Sequence, residues 1–239
     1  MTTRNRGKEG RDDLLFGDPK MQYNIKEAVT DISYLLSRGF SEKSSVQLVG
    51  HRYRLNARQQ KAVQGMSAAT KQVIHRKTTR VFINQLKDQT LVIDAFNILI
   101  ILESFFSGAY VFKGLDDCYR DVSSVHGTYK RVQQTQEVLI AVGDFLKEAQ
   151  VKEVIWVFDQ PVSNSGRMKM LLGELSRKRN YAWQCILEYN PDKILAESTH
   201  IVASSDAWIL DRAQRWFNLS GAIIETSQTE KTGTILLSN

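Results

Sequence analysis

The chain contains little cysteine and no long apolar run. Its only cysteines are Cys118 and Cys185, so the sequence supports neither a disulfide framework nor a zinc site built from cysteines. No apolar segment approaches the roughly 20 residues that a membrane-spanning helix needs. Residues 1–11 also lack the apolar core of a signal peptide. These absences predict a cytoplasmic protein that does not contact a membrane.

Several common catalytic motifs are missing as well. No glycine-rich phosphate loop of the Walker or dinucleotide-binding type occurs. Ser204 and Ser205 stand outside any Gly-x-Ser-x-Gly nucleophile motif. No pair of histidines has the spacing of metal ligands; the histidines are His51, His75, His126 and His200. The carboxylates therefore become the main candidates for site residues.

The positive charge is concentrated in the first part of the chain. Residues 1–88 carry 17 Lys and Arg against 8 Asp and Glu, whereas residues 89–239 carry 15 against 18. A basic first part suits a polyanion such as nucleic acid, and a slightly acidic second part suits cations. Alternatively, the basic side chains only solvate helix surfaces, which is their usual role. The charge shift and a change of hydrophobic period near residue 89 predict two domains, 1–88 and 89–239.

The first part shows helical periodicity after a polar, mobile leader at residues 1–20. Apolar residues recur at spacings of three and four from Ile25 to Leu36, which is typical of a helix. Ser41 and Asn56 are candidate N-caps for two further helices, 41–48 and 57–73. The pattern predicts a small basic all-α domain.

A basic and aromatic cluster stands out in this helical part. It consists of His51, Arg52, Tyr53, Arg54 and Arg58. Such a mixture suits phosphate contact together with base stacking, so Arg52, Arg54 and Arg58 are predicted to bind RNA. The alternative is a helical docking module whose arginines pair with the acidic second part.

The second part alternates strand and helix signals. The first predicted strand is the apolar run that ends at Asp94, and the others cover 154–158, 183–187, 199–203 and 221–224. The predicted helices cover 135–149, 168–179 and 208–217, and residues 100–110 form a helix or a long loop. This alternation predicts an α/β fold, a three-layer sandwich with a central, mostly parallel sheet.

Acids follow the predicted strands. Asp94 and Asp159 end two of them, Asp206 follows a third after two serines, and Asp192 follows another after a turn. Parallel strands present their carboxyl ends at one edge, so these acids are expected in one crevice. They would repel one another without a cation, and Mg²⁺ or Mn²⁺ prefers such oxygen ligands. For Asp94 alone, the alternative is a capping acid that ends the strand.

This pattern resembles the PIN-like nuclease superfamily, including its NYN branch and the flap endonucleases, over about residues 89–230. Asp94, within Val-Ile-Asp-Ala-Phe-Asn, matches the first-strand acid, and Asn97 matches the associated amide. The remaining matches are Asp159 within Val-Phe-Asp, Asp192 before the last catalytic strand, and Ser205-Asp206 as the Ser-Asp signature. The resemblance implies metal-dependent cleavage of RNA, less often DNA. Asp94, Asp159 and Asp206 would hold the metal, Asp192 would be a fourth acid, and Asn97 would orient the nucleotide.

The sequence departs from the family at one acid. Asp192 has no acidic neighbour, and Lys193 beside it could pair with an acid and weaken metal binding. A further group of acids, Asp116, Asp117 and Asp121, either supplies a ligand or consists of solvated loop acids.

Other functions and the oligomeric state stay open. One alternative is a catalytically inactive PIN-like module that binds RNA or a protein. Another is a phosphohydrolase for other substrates, although Phe96 replaces the second acid that a haloacid-dehalogenase phosphatase needs. A homodimer also stays open.

Overall fold

The computed structural model describes residues 6–123, 129–227 and 234–235 of the chain. They form two compact units. We call residues 79–103 and 129–227 the α/β unit, and residues 6–78, 104–123 and 234–235 the helical unit.

The elements follow one another along the chain. The helices are α1 (Asp12–Phe16), α2 (Pro19–Ser37), α3 (Glu42–Arg52), α4 (Ala57–Met66), α5 (Thr70–Thr79), α6 (Ala95–Phe106), α7 (Thr135–Glu148), α8 (Ser165–Arg179), α9 (Pro191–Ala196), α10 (Ala207–Leu210) and α11 (Leu219–Thr226). The strands are β1 (Arg80–Val81), β2 (Thr90–Asp94), β3 (Val111–Lys113), β4 (Tyr119–Arg120), β5 (Glu153–Asp159), β6 (Trp183–Glu188), β7 (Ile201–Ala203), β8 (Trp216–Phe217) and β9 (Thr234–Ile235). Among the residues described, no helix has the length and apolar character needed to cross a membrane.

Side-chain caps set the starts of the main helices in the helical unit. Asp18 accepts a hydrogen bond from the backbone of Met21, and Pro19 occupies the first position of α2. Ser41 starts α3, and Asn56 forms a capping box with Gln59 at the start of α4. Each cap satisfies a backbone N–H group that has no partner within the helix. The predicted caps at Ser41 and Asn56 are confirmed.

The core of the helical unit combines helices with a short β-segment. Ile25, Val29 and Ile32 of α2 are fully buried, and Phe112 of β3 packs into the same core. β3 pairs antiparallel with β4 and parallel with β9. The prediction of an all-α domain is therefore not confirmed, because residues 104–123 belong to the same compact unit as the helices. The predicted boundary between residues 88 and 89 stays a prediction.

A single six-stranded parallel sheet forms the centre of the α/β unit. Its strand order is β1-β8-β7-β2-β5-β6. Leu91, Val92 and Ile93 of β2 are buried because this strand lies between β7 and β5. Sheets of this kind are covered by helices on both faces and therefore consist of nearly continuous apolar strands. The predicted α/β fold with a mainly parallel sheet is confirmed.

Two predicted elements near the end of the α/β unit are wrong. The predicted helix 208–217 stops at Leu210, and Trp216 and Phe217 form strand β8 instead. The predicted strand 221–224 is part of helix α11. Asn218 explains the second error, because its side chain accepts a hydrogen bond from the Gly221 backbone at 3.0 Å and caps the helix.

Candidate functional site

The site forms where the central strands end. Asp94 is the last residue of β2, and Asp159 is the last residue of the neighbouring strand β5. α6 begins directly at Ala95, without a loop, so Asn97 lies in the first turn of this helix. The carboxyl ends of parallel strands form the usual ligand crevice of such sheets.

Ser204 connects the end of β7 to Asp94. Its hydroxyl donates a hydrogen bond to Asp94 Oδ2 at 2.7 Å and accepts one from the backbone N–H of Asp206 at 3.0 Å. Asn97 Oδ1 accepts a hydrogen bond from the Ser205 backbone at 2.8 Å. The two side chains therefore fix the loop after β7 against the start of α6. The sequence predicted that Ser204 and Ser205 bond the Asp206 loop, as Ser204 does, but it did not indicate the bond from Ser204 to Asp94.

Asp206 caps the short helix α10. Its Oδ1 accepts hydrogen bonds from the backbone N–H groups of Trp208 at 2.8 Å and Ile209 at 3.1 Å. These bonds fix the carboxylate and engage one of its oxygens. The other oxygen accepts no hydrogen bond from this cap.

Asp192 lies in the first turn of α9, whose N-cap is Asn190. Lys193, its neighbour, places its ammonium 4.0 Å from Glu197, and both side chains are mostly exposed. The lysine is therefore engaged along the surface of α9. The structure therefore places the Lys193 ammonium beside Glu197, although an exposed ion pair of this length contributes little energy.

A cavity of about 190 Å³ lies among these acids. Asp94, Asp159 and Asp192 line it together with Phe96, Ile100, Val157, Val162 and Pro191. Phe96 also contacts the rings of Tyr129 and Phe158, with centroids 4.8 and 5.0 Å away. The wall is thus partly aromatic, a feature that the sequence did not indicate.

The acids influence one another electrostatically. The pKa of Asp94 is raised to about 7, mainly by burial and also by the charges of Asp206 and Asp192, although the hydrogen bond from Ser204 opposes the change. Burial and the charges of Asp206 and Asp159 also raise the pKa of Asp192. Burial raises the pKa of Asp159. Asp206 and Asp192 thus act on Asp94, and Asp206 and Asp159 act on Asp192, so the charges of acids distant in sequence influence one another here.

The oxygen atoms of this site could hold a hard cation. Oδ1 of Asp159 is buried and accepts no hydrogen bond from the part of the chain that the structure describes. Burying a carboxylate oxygen without a hydrogen-bond partner costs free energy, and a bound cation would offset that cost. However, no three or more His, Cys, Asp or Glu side chains within the described ranges lie close enough to enclose one metal ion. The donor chemistry fits Mg²⁺ or Mn²⁺, whereas the protein alone does not complete a coordination shell.

The three arginines predicted to bind RNA differ in availability. The side chain of Arg52 is 69% exposed and lies 3.6 Å from Asp31, and Arg54 is exposed at a positive φ of 53° after α3. Arg58 instead binds both oxygens of Asp12 at 2.7 and 2.9 Å. It also reaches Glu9 and the Gly7 carbonyl. Its donors are therefore used inside the helical unit.

The three remaining acids all lie in the helical unit, where each contacts other residues of the protein. They are Asp116, Asp117 and Asp121. Asp116 is 1% exposed and binds Arg76 and Arg120, each at 2.7 Å. Burial would raise its pKa, but the two guanidinium groups outweigh burial and hold the pKa well below its usual range. Asp117 lies 3.8 Å from Lys77, and Asp121 accepts a hydrogen bond from the Ser123 backbone. Asp116 is thus neither a solvated loop acid nor available to a metal. His126 lies outside the described residues.

The chain resembles known proteins over most of its length. Residues 24–78 match a family described as a protein of unknown function (DUF434). An uncharacterized protein of Methanocaldococcus jannaschii is 28% identical over 190 residues, which cover 78% of this chain and 89% of that protein. No solved structure matches the chain significantly. Residues 83–222 match the family described as a domain of unknown function (DUF5616), and because this match covers more than half of the chain, the chain belongs to that family.

Proposed function

We propose that the protein hydrolyses phosphodiester bonds in RNA with the help of Mg²⁺ or Mn²⁺. One observation carries this proposal. Asp94, Asp159, Asp192 and Asp206 come from four separate segments, yet their charges and burial raise the pKa values of three of them. Such an excess of negative charge at a strand edge is unfavourable unless it serves a cation or a proton-transfer reaction.

Each residue of the site has a defined role in this proposal. Asp94, Asp159 and Asp206 would hold the metal, with Asp192 as a fourth acid. Ser204, through its bonds to Asp94 and Asp206, positions the site. When bound, a divalent metal would lower the pKa of a water molecule and stabilise charge on the phosphate. Mg²⁺ usually keeps several waters and is held by one or two carboxylates together with substrate phosphates, so an incomplete protein shell is compatible with it.

The resemblance to PIN-like nucleases supports the same proposal. The six-stranded parallel sheet and the helices of the α/β unit are compatible with the three-layer arrangement of that superfamily. Within the helical unit we retain Arg52 and Arg54 as RNA contacts, because both are exposed. We leave Arg58 out of the contact because its guanidinium binds Asp12 and Glu9.

Cleavage of RNA tests the proposal. We expect the wild-type protein to cut a mixture of single-stranded and structured RNA with Mn²⁺ and to leave it intact with chelator. Asp94→Asn should lower the rate by about a thousandfold, the order of effect of losing a principal electrostatic group in a dry site. The variant should still hold RNA, because losing a negative charge removes repulsion from the backbone.

Glu174→Gln is the matched control. Glu174 is exposed on α8 and does not line the cavity, so its variant should cleave at the wild-type rate. Equal survival of RNA with metal and with chelator, together with no heat of Mn²⁺ binding, would contradict the proposal. That result would favour a PIN-like module that binds RNA or a protein without catalysis, the alternative supported by the lack of a closed metal-binding group among the residues described.

A further inference from the structure

A second pocket lies in the helical unit, where α2 and α3 pack against each other. It has a volume of about 360 Å³ and is lined by Asp31, Tyr34, Leu35, Leu48, Val49 and Arg52. Volumes of this size and mainly apolar walls with a few polar groups are typical of sites for small molecules or parts of larger ligands. Tyr34 is 63% exposed and Leu48 is 61% exposed, so large apolar side chains at this pocket face solvent.

Asp31 supplies a hydrogen-bond acceptor in the pocket wall. Asp31 Oδ2 accepts a hydrogen bond from Tyr53 Oη at 3.0 Å, and Arg52 Nη1 lies 3.6 Å from the same oxygen. Asp31 Oδ1 accepts no hydrogen bond from any residue that the structure describes. A carboxylate held by one phenol and one distant guanidinium keeps free lone pairs for a ligand with adjacent N–H donors.

Arg52 brings a positive charge to the pocket wall, and Arg54, also exposed, follows it two residues later in the chain. The guanidinium of Arg52 lies 5.4 Å from the ring centroid of Tyr53. The exposed planar groups of Tyr34 and Arg52 can stack on a flat ring, and the cations can hold a phosphate. The occupant therefore combines a flat ring, an edge of N–H donors and a negative charge.

Guanine in a single strand has this combination. Its Watson–Crick edge presents two neighbouring donors, N1–H and N2–H₂, which match one carboxylate. Uracil presents one donor between two acceptors, and a carboxylate repels these acceptors. We propose that this pocket binds an unstacked guanine base of single-stranded RNA, with Asp31 receiving the guanine donors and Tyr34 stacking on the ring. The inference rests on the proposed function, because it specifies the RNA that the helical unit holds.

Binding measured in chelator tests this pocket without cleavage. The full chain is titrated with two fluorescent single strands, one of uridines only and one that carries a single guanosine among uridines. We expect wild-type protein to bind the guanosine strand about tenfold more tightly, the order of effect of a hydrogen bond to a charged group. Asp31→Asn should abolish this ratio, and replacement of guanosine by inosine, which lacks the N2 amino group, should reduce it.

Two matched controls separate stacking and charge from general effects. Tyr34→Ala should weaken binding of the guanosine strand by about tenfold, in line with the loss of one stacked base. Tyr23→Ala should not, although Tyr23 on the same helix is equally exposed at 62%. Glu27→Gln, one helical turn before Asp31, removes the same charge and should leave the ratio between the two strands unchanged. Since Tyr34 is exposed, its variant remains informative even if Asp31→Asn melts at a lower temperature.

The outcomes distinguish this inference from the proposed function. Cleavage of RNA without any preference for the guanosine strand overturns the pocket assignment alone. A clear preference without cleavage overturns the proposed reaction and leaves the pocket as an RNA-binding site. Equal effects of Tyr34→Ala and Tyr23→Ala overturn the pocket. The pocket assignment is also overturned if Tyr34→Ala weakens the binding of an amphipathic peptide but leaves the affinity for RNA unchanged. The pocket would then be a site for a protein helix.

Discussion

Asp94→Asn should stabilise the metal-free protein near pH 8 and have almost no effect near pH 4. Burial and neighbouring acids raise the pKa of Asp94 from an ordinary value of 3.8 to about 7. Above pH 7 the folded protein therefore carries a charge that the unfolded chain accommodates more easily. The difference between the two pKa values corresponds to on the order of 4 kcal/mol, an upper figure because nearby acids titrate together with Asp94.

The direction of this effect follows from proton binding. Between about pH 4 and pH 7 the folded protein keeps the proton of Asp94 while the unfolded chain has lost it. Unfolding then releases a proton, so the free energy of unfolding contributed by this group falls as pH rises through this window. Below about pH 4 the Asp94 carboxyl is protonated in both the folded and the unfolded state. Asparagine at this position then gives no gain in the free energy of unfolding.

Thermal unfolding of the full chain in chelator measures the effect of Asp94→Asn on stability. The gain in melting temperature of Asp94→Asn should grow from pH 4 to pH 8, whereas Glu174→Gln, an exposed acid on α8, should show no such trend. Mn²⁺ should then raise the melting temperature of the wild type but not of Asp94→Asn, since a ligand stabilises only the state that binds it. A variant that is destabilised equally at both pH values would show that Asp94 stabilises the fold as a capping acid.

Local sequence pattern was sufficient to predict the centre of the α/β unit. The apolar run before Asp94 and the run before Asp159 each have the length and composition of a buried strand, and both are neighbouring strands of the sheet. Parallel pairing then brings their ends together without any knowledge of the loops. The electrostatic influence of Asp192 on Asp94 agrees with the same argument.

Other features depend on contacts between distant segments, which no local pattern contains. Asp116 looks like a loop acid in sequence, but Arg76, 40 residues earlier, buries and neutralises it. The bond from Ser204 to Asp94 spans 110 residues. At Asn218 a local signal was present: asparagine is a favoured N-cap residue, and this signal competed with the β-branched pair at 223–224.

Arg58→Ala should destabilise the helical unit by about 3–5 kcal/mol, because it leaves a buried carboxylate without its cation. The side chain of Asp12 is 1% exposed, and Arg58 supplies two of its hydrogen bonds, at 2.7 and 2.9 Å. The same guanidinium holds the Gly7 carbonyl at 2.7 Å and the Val122 carbonyl at 3.3 Å. Chemical denaturation followed by circular dichroism should show the loss as a lower midpoint.

Arg54→Ala is the control from the same basic cluster. Arg54 is exposed, so its loss should change the unfolding free energy by less than about 0.5 kcal/mol. The double variant Asp12→Asn with Arg58→Gln should be more stable than the sum of the single effects predicts, because neither side chain then buries an unpaired charge. If Arg58→Ala and Arg54→Ala have equally small effects on stability and both weaken RNA binding, Arg58 belongs with the RNA contacts. If only Arg58→Ala lowers stability, its guanidinium serves the fold, and the basic charge available to RNA in this cluster is that of Arg52 and Arg54.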